Sequence, residues 1–180
     1  GDAKGTPYQQ ESHFLLAEVL REQNKLADSL SEYEAAAKLP GAFQAEALFR
    51  SGLICYQQDD FEKAISLLSE MCKDHSEKIR VDQYEQAQVY LGISYYQAKN
   101  NRAARDFLSK IWVIKKHKYR PEAGYYLAWL ELNENKSEAA AIRFGELSDG
   151  YPKHQLAADA RLQQGALLIN LGQFVNARKA

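Results

Sequence analysis

Apolar and polar positions follow one another along this chain at helical spacing, and the pattern itself recurs. Segment 52–68 reads GLICYQQDDFEKAISLL and segment 92–108 reads GISYYQAKNNRAARDFL. Each opens on a glycine, crosses a short polar run and places an alanine twelve residues on, at Ala64 and Ala104. A leucine follows sixteen residues on, at Leu68 and Leu108. From Ala128 the same offsets reach Ala140 and Phe144, from Gly165 the first reaches Ala177, and from Ala17 they reach Ser29 and Tyr33. The reference residues 17, 52, 92, 128 and 165 are spaced by 35, 40, 36 and 37 residues, a period that belongs to stacked helical repeats.

Each copy has one physical plan. A first helix carries the small reference residue where a facing helix comes close, and glycine there, at a cost of about 1 kcal/mol relative to alanine, implies close packing. A polar turn follows, at Asn24-Lys25, Gln58-Asp59-Asp60, Lys99-Asn100-Asn101, Asn133-Glu134-Asn135 and Leu171-Gly172-Gln173. The second helix returns with its own small residue and then Tyr33, Leu68, Leu108 or Phe144. The pattern predicts helices over 9–23, 27–38, 43–57, 60–73, 81–98, 102–116, 121–132, 136–148, 155–170 and 174–180. Pro40-Gly41 and Tyr151-Pro152 punctuate the array, and the longer spacing of 40 predicts extra residues near His75 to Asp82. The expected organisation is a leader over 1–8 and a single domain over 9–180, with repeats near 9–41, 42–80, 81–120, 121–153 and 154–180. The last repeat ends soon after its second helix begins, which predicts that a following segment or a partner covers that end.

These positions resemble the tetratricopeptide repeat, over nearly the whole chain. Ala17, Gly52, Gly92, Ala128 and Gly165 match its small first-helix position, Ala64, Ala104, Ala140 and Ala177 its second-helix alanine, and Phe61 and Phe174 its turn aromatic. Ser29 departs from the alanine, Asn101 and Ser137 from the aromatic, and Glu131 stands where an apolar residue is common. The resemblance implies an all-α solenoid of stacked antiparallel hairpins, about four and a half repeats long, acting as a protein-binding scaffold. Segment 151–174, YPKHQLAADARLQQGALLINLGQF, also resembles the tetratricopeptide domains of bacterial envelope proteins, namely the Tol-Pal-associated coordinator and the lipoprotein of the outer-membrane assembly machine. Ala47 with Gly52, Ala87 with Gly92 and Ala160 with Gly165 fit the Ala-x-x-x-x-Gly element of that group. That likeness implies a scaffold in the periplasm or at the outer-membrane periphery.

A partner surface is expected on the first helices, on the stripe three residues before, one after and four after each reference residue. The stripe comprises Phe14, Glu18 and Arg21, then Phe49, Leu53 and Tyr56, then Val89, Ile93 and Tyr96, then Tyr125, Trp129 and Leu132, and last Leu162, Ala166 and Ile169. The central three sets are apolar and aromatic, and suit a peptide or amphipathic helix. Phe49, Tyr56, Tyr96, Tyr125 and Trp129 are the expected contacts, with Arg50, Gln57, Gln97 and Asn133 at the edge. The same stripe would instead serve to pack neighbouring repeats. Chaperone-binding relatives grip a terminal carboxylate with basic and asparagine side chains on these faces; Phe49-Leu53 and Val89-Ile93 stand there instead and argue against that mode.

Composition narrows the chemistry. Twenty-three basic and 24 acidic residues leave a net charge of -1, without the field that gathers nucleic acid or anionic lipid. The basic run KKHKYR, 115–120, falls at a helix end, where its charge complements the dipole and meets solvent. His13, His75, His117 and His154 are dispersed, with no metal-ligand spacing, and there is no phosphate loop or serine elbow. Cys55 and Cys72 read as two separate thiols. The expectation is a protein without enzymatic activity, cofactor or metal that binds a protein or peptide; the alternative is a module that assembles with copies of itself.

Overall fold

In the computed structural model, residues 7–74 and 79–178 are described. They form ten helices: α1 (Pro7–Glu22), α2 (Leu26–Ala37), α3 (Gln44–Gln57), α4 (Phe61–Asp74), α5 (Val81–Gln97), α6 (Asn101–Val113), α7 (Arg120–Asn133), α8 (Ser137–Gly150), α9 (Ala157–Asn170) and α10 (Phe174–Ala177). Every predicted helix is present. α6 ends three residues earlier than expected, at Val113, because Ile114 takes an extended conformation, and α10 ends at Ala177. Pro7 and Tyr8, expected in a leader, already belong to α1; positions 1–6 and the inserted stretch 75–78, with His75, lie outside the described residues. The chain divides into two compact units, and the boundary between Ser94 and Tyr95 falls inside α5.

The five hairpin corners are built alike. Asn24, Asp59, Lys99, Asn135 and Gly172 all take the left-handed conformation, with φ of 59°, 61°, 61°, 60° and 73°. Each lies seven residues after its reference residue. The amide of that residue donates to the carbonyl three back, as Lys99 does to Tyr96 at 3.0 Å, and the next amide donates five back, as Asn100 does to Tyr95 at 2.9 Å. This pair of bonds terminates the first helix and satisfies its last carbonyls. The next residue then starts the second helix: the side chains of Asp60 and Asn100 accept from the amides of Lys63 and Ala103, each at 3.2 Å. Lysine bears the left-handed conformation badly, because its Cβ crowds the backbone. Lys99→Gly is therefore expected to stabilise the chain by about 0.5 kcal/mol, after the entropy glycine adds to the unfolded state. A denaturant midpoint that stays put or falls would show that the corner carries no such strain.

The reference positions are contact points between paired helices. Ala17, Ala64, Ala104, Ala128, Ala140 and Ala160 are fully buried. A Cβ built on Gly52 would lie 2.6 Å from Cγ and Cδ2 of Leu68, the very residue expected one turn beyond the partner alanine. At Ser29 the departure from alanine is accommodated in place: its hydroxyl donates to the carbonyl of Ala17 at 2.8 Å, bonding the two small positions together. Gly165 differs, since a Cβ there meets nothing within 4 Å. In the unit that starts at Tyr95, Phe144 and Leu147 with Ala128, Ala140 and Ala160 form a buried cluster between α7, α8 and α9.

Gln10 holds the connection from α2 to α3. Its side-chain amide donates to the carbonyls of Ala36 and Leu39, at 3.2 and 2.5 Å, and its oxygen accepts from the Phe43 amide at 3.2 Å. The Gly41 backbone passes so close that an added Cβ would fall 2.2 Å from Gln10 Oε1. A buried glutamine thus satisfies one carbonyl in the last turn of α2 and two backbone groups of the connection that follows.

Candidate protein-interaction site

Within the unit that ends at Ser94, the expected stripe divides by depth. Phe49, Val89 and Ile93 are buried, at 1%, 1% and 4% exposure, so they supply packing rather than surface. Leu53 and Tyr56 are half-buried. Tyr56 sets its ring edge-on to Phe61, at 5.9 Å, and to Tyr90 of α5, at 4.7 Å. Phe14 lies against Phe43 at 4.8 Å and Tyr33 at 5.5 Å. The stripe is the seam along which one first helix receives the next.

Beside this seam runs a line of polar contacts. Glu18 accepts from the Tyr33 hydroxyl and from Arg21, 3.0 Å away, and lies 3.7 Å from Arg50 of α3. Arg50 is 2.9 Å from Glu46, whose carboxylate accepts from the Gln83 amide of α5 at 2.6 and 2.8 Å. Burial by itself would raise the pKa of Glu18, but the hydrogen bonds from Tyr33 and Arg21 and the charge of Arg50 outweigh it and hold the carboxyl below its usual value. The edge role expected of Arg50 is thus taken up by holding α1, α3 and α5 together.

The unit that starts at Tyr95 carries a connected set of rings. Tyr96 meets Tyr126 at 5.3 Å, Tyr126 meets Tyr125 at 5.6 Å, and Tyr125 and Trp129 are 6.1 Å apart. Both of the last two sit edge-on over Phe144 at 5.7 Å. Tyr125 donates to Asp159 of α9 at 2.6 Å; burial first, and then that carboxylate, push its hydroxyl up to about 12. Tyr96, Tyr125, Trp129 and Leu132 are all half-buried. Their inner edges fill the seam and their outer edges remain at the surface.

Three contributors escape the periodic reading. Tyr126 and Asp159 belong to the ring set, and the doubled Tyr125-Tyr126 was the signal for the first. The third is a cluster around Trp112. Glu131, 5% exposed, accepts a forked pair of bonds from Arg143 at 2.5 to 3.0 Å. Arg143 lies 5.5 Å from the Trp112 ring centre and Arg120 4.1 Å from it. Arg120 also donates to the Trp112 carbonyl and the Tyr151 hydroxyl, both at 2.7 Å. The charge standing at an apolar repeat position is matched twelve residues later, the same offset that pairs the small residues. Arg120 closes the basic run as a packing residue, while Lys115, Lys116 and Lys118 are exposed and His117 is buried.

Both cysteines are free thiols, and burial pushes each up to about 11, away from nucleophilic use. His13 pairs with Glu32 at 2.6 Å and His154 with Glu122 at 3.2 Å. Among the described residues no group of three His, Cys, Asp or Glu side chains is placed to hold a metal, and no helix is long and apolar enough to cross a membrane.

Known proteins agree with this geometry. Two tetratricopeptide-repeat family profiles match the chain, at residues 14–78 and 86–112. No curated protein sequence matches it significantly. Among solved structures it is similar to YrrB, described as a TPR protein with an unusual peptide-binding site, at 18% identity and a TM-score of 0.67 over 92% of this chain and 79% of that one. MamA from AMB-1 superposes with a TM-score of 0.71 at 13% identity, covering 96% and 87%. The Rap conjugation gene regulator of plasmid pLS20, in complex with the Phr* peptide, gives 0.60 at 15% identity, covering 93% of this chain and 50% of its own. The chain is built of tetratricopeptide repeats, and its fold is the all-α solenoid of that class. The likeness to bacterial envelope members is not among these matches.

Proposed function

We propose that this chain is a protein-interaction scaffold that takes a peptide or an amphipathic helix on the aromatic face of α7. The observation that carries the reading is the partly exposed ring set of Tyr96, Tyr126, Tyr125 and Trp129, with Leu132 beside it. Aromatic rings present large contact area with few rotatable bonds, so little entropy is lost when a ligand covers them. Asp159 fixes Tyr125 from behind, so that face is arranged before a ligand arrives. The peptide sites attributed to YrrB and to the Rap regulator support a ligand of this kind on such repeats. In the other unit Leu53 and Tyr56 offer a smaller, partly exposed patch on α3, whereas Phe49, Val89 and Ile93 act by shaping the packing beneath. An envelope location for the scaffold rests on the residue pattern of 151–174.

A displayed random-peptide library selected on the wild type and measured against the double variant Tyr96→Ala, Trp129→Ala provides the test. The selected peptides are expected to lose at least about tenfold in affinity for the double variant, with helicity retained by circular dichroism. Equal affinity for the two folded proteins would remove the ring set from the binding surface.

A further inference from the structure

The connection from α6 to α7 concentrates positive charge. From Phe107 to Pro121 the chain holds no acidic residue, and Lys115, Lys116, Lys118 and Arg120 follow one another closely. His117 orders this loop. Its ring is buried, its amide donates to the Ile114 carbonyl at 3.0 Å, and its carbonyl accepts from the Arg120 amide at 3.1 Å. Two successive turns are thereby fixed, and Lys116 and Lys118, on either side of the buried ring, stand exposed with Lys115. Val113 and Ile114 lead into the loop with 73% and 51% exposure.

Helix electrostatics does not account for these charges. Lys110 already stands in the last turn of α6, with Asp106 one turn before it, and the dipole effect fades beyond that turn. The lysines lead instead into the start of α7 at Arg120, where positive charge opposes the dipole. Nor are they neutralised in place. Lys115, Lys116 and Arg120 pair with no carboxylate among the described residues. Glu122 of α7 lies 3.2 Å from His154, Glu131 is matched by Arg143, and Asp149 of α8 by Arg161 at 2.6 Å; Glu146 is exposed. Arg120 is held flat on the Trp112 ring by the bonds of Nε and Nη1 to the Trp112 carbonyl and the Tyr151 hydroxyl, while Nη2 donates to no group among the described residues.

We propose that this loop docks an acidic segment of a partner protein, one that interleaves carboxylates with aliphatic side chains. The occupant is argued from charge: a cationic surface without a counter-charge of its own attracts the segment that supplies one. Arg120 is fixed before binding, so a carboxylate that reaches Nη2 completes a charge-assisted bond at little entropic cost. Val113 and Ile114, beside the lysines, give the apolar side chains of that segment a surface to cover. The loop uses none of the four rings, and so stands or falls apart from the peptide surface proposed above.

The random-peptide selection on the wild type tests it, through a second class of peptides. These are expected to be rich in Asp and Glu between aliphatic residues, and to bind the Tyr96→Ala, Trp129→Ala variant unchanged. Their affinity is expected to fall at least about tenfold for Lys115→Glu with Lys116→Glu, and to weaken in raised salt. Val113→Ser with Ile114→Ser is expected to cost them about threefold or more. The milder pair Lys115→Gln with Lys116→Gln should also weaken binding and leave the denaturant midpoint unchanged or higher, since it removes charge that opposes the α7 dipole. A selection without this acidic class, or one whose acidic peptides ignore both lysine pairs, overturns the proposal. A midpoint lowered by the glutamine pair does so too, because the lysines would then serve the fold. Vesicles of phosphatidylcholine with phosphatidylglycerol are the last arm. If they retain the wild type, release the glutamine pair and no acidic peptide is selected, the loop meets a membrane and the proposed occupant is wrong.

Discussion

Glu131→Ala is expected to cost about 3 kcal/mol, the range found when one partner of a buried ion pair is removed. Its carboxylate accepts the forked bonds of Arg143, with side-chain exposures of only 7% and 22%. The remaining guanidinium would face the Trp112 ring without a counter-charge, and α7 and α8 would lose one polar contact beside their apolar packing. Replacing both members, as Glu131→Leu with Arg143→Met, should restore most of the loss, because the desolvation of two charges disappears with the pair. Chemical denaturation of the three proteins decides between readings. A single-variant loss below about 0.5 kcal/mol would put the pair in the class of surface bridges.

The second large effect comes from glycines that look alike in sequence and differ in surroundings. A Cβ on Gly124 would lie 2.4 Å from Cζ3 and 2.8 Å from Cε3 of Trp112. That ring has Arg120 over it at 4.1 Å and Arg143 at 5.5 Å, so it has little freedom to withdraw. Gly124→Ala is expected to destabilise by about 2 kcal/mol, overpacking exceeding the gain in helix propensity. At Gly165 nothing stands within 4 Å, and Gly165→Ala should stabilise by up to about 1 kcal/mol through propensity alone. Thermal and denaturant unfolding of the two variants must move in opposite directions; the same sign for both would show that local packing is not what separates them.

Much of the fold was readable because helical hairpins leave a periodic trace. The small residues at 17, 52 and 128 are buried where the spacing placed them, and the expected partner of Gly52 is the leucine that fills its missing side chain. The candidate site was legible only in part. Periodicity shows that Phe49, Val89, Ile93, Tyr96 and Tyr125 share a face, but it does not show which neighbour covers that face. In the structure Phe49, Val89 and Ile93 are buried, while Tyr96 and Tyr125 stay partly exposed. Glu131 illustrates the other blind spot. A charge at an apolar position reads as a defect until its partner is found in another helix, and the partner is set by three-dimensional proximity. Asp159 likewise gains its role only through the hydroxyl of Tyr125.

The left-handed corner residues have a consequence of their own. Asparagine, aspartate, lysine, asparagine and glycine share no side-chain group, yet all five take a positive φ within 14° of one another. The bend is made by main-chain amides and carbonyls, so residues of different side chain can stand there, at the cost each pays for a positive φ, while each pair of helices keeps its alignment. Units joined this way are interchangeable parts: one hairpin cut at its corners and spliced in place of another would arrive already folded back on itself.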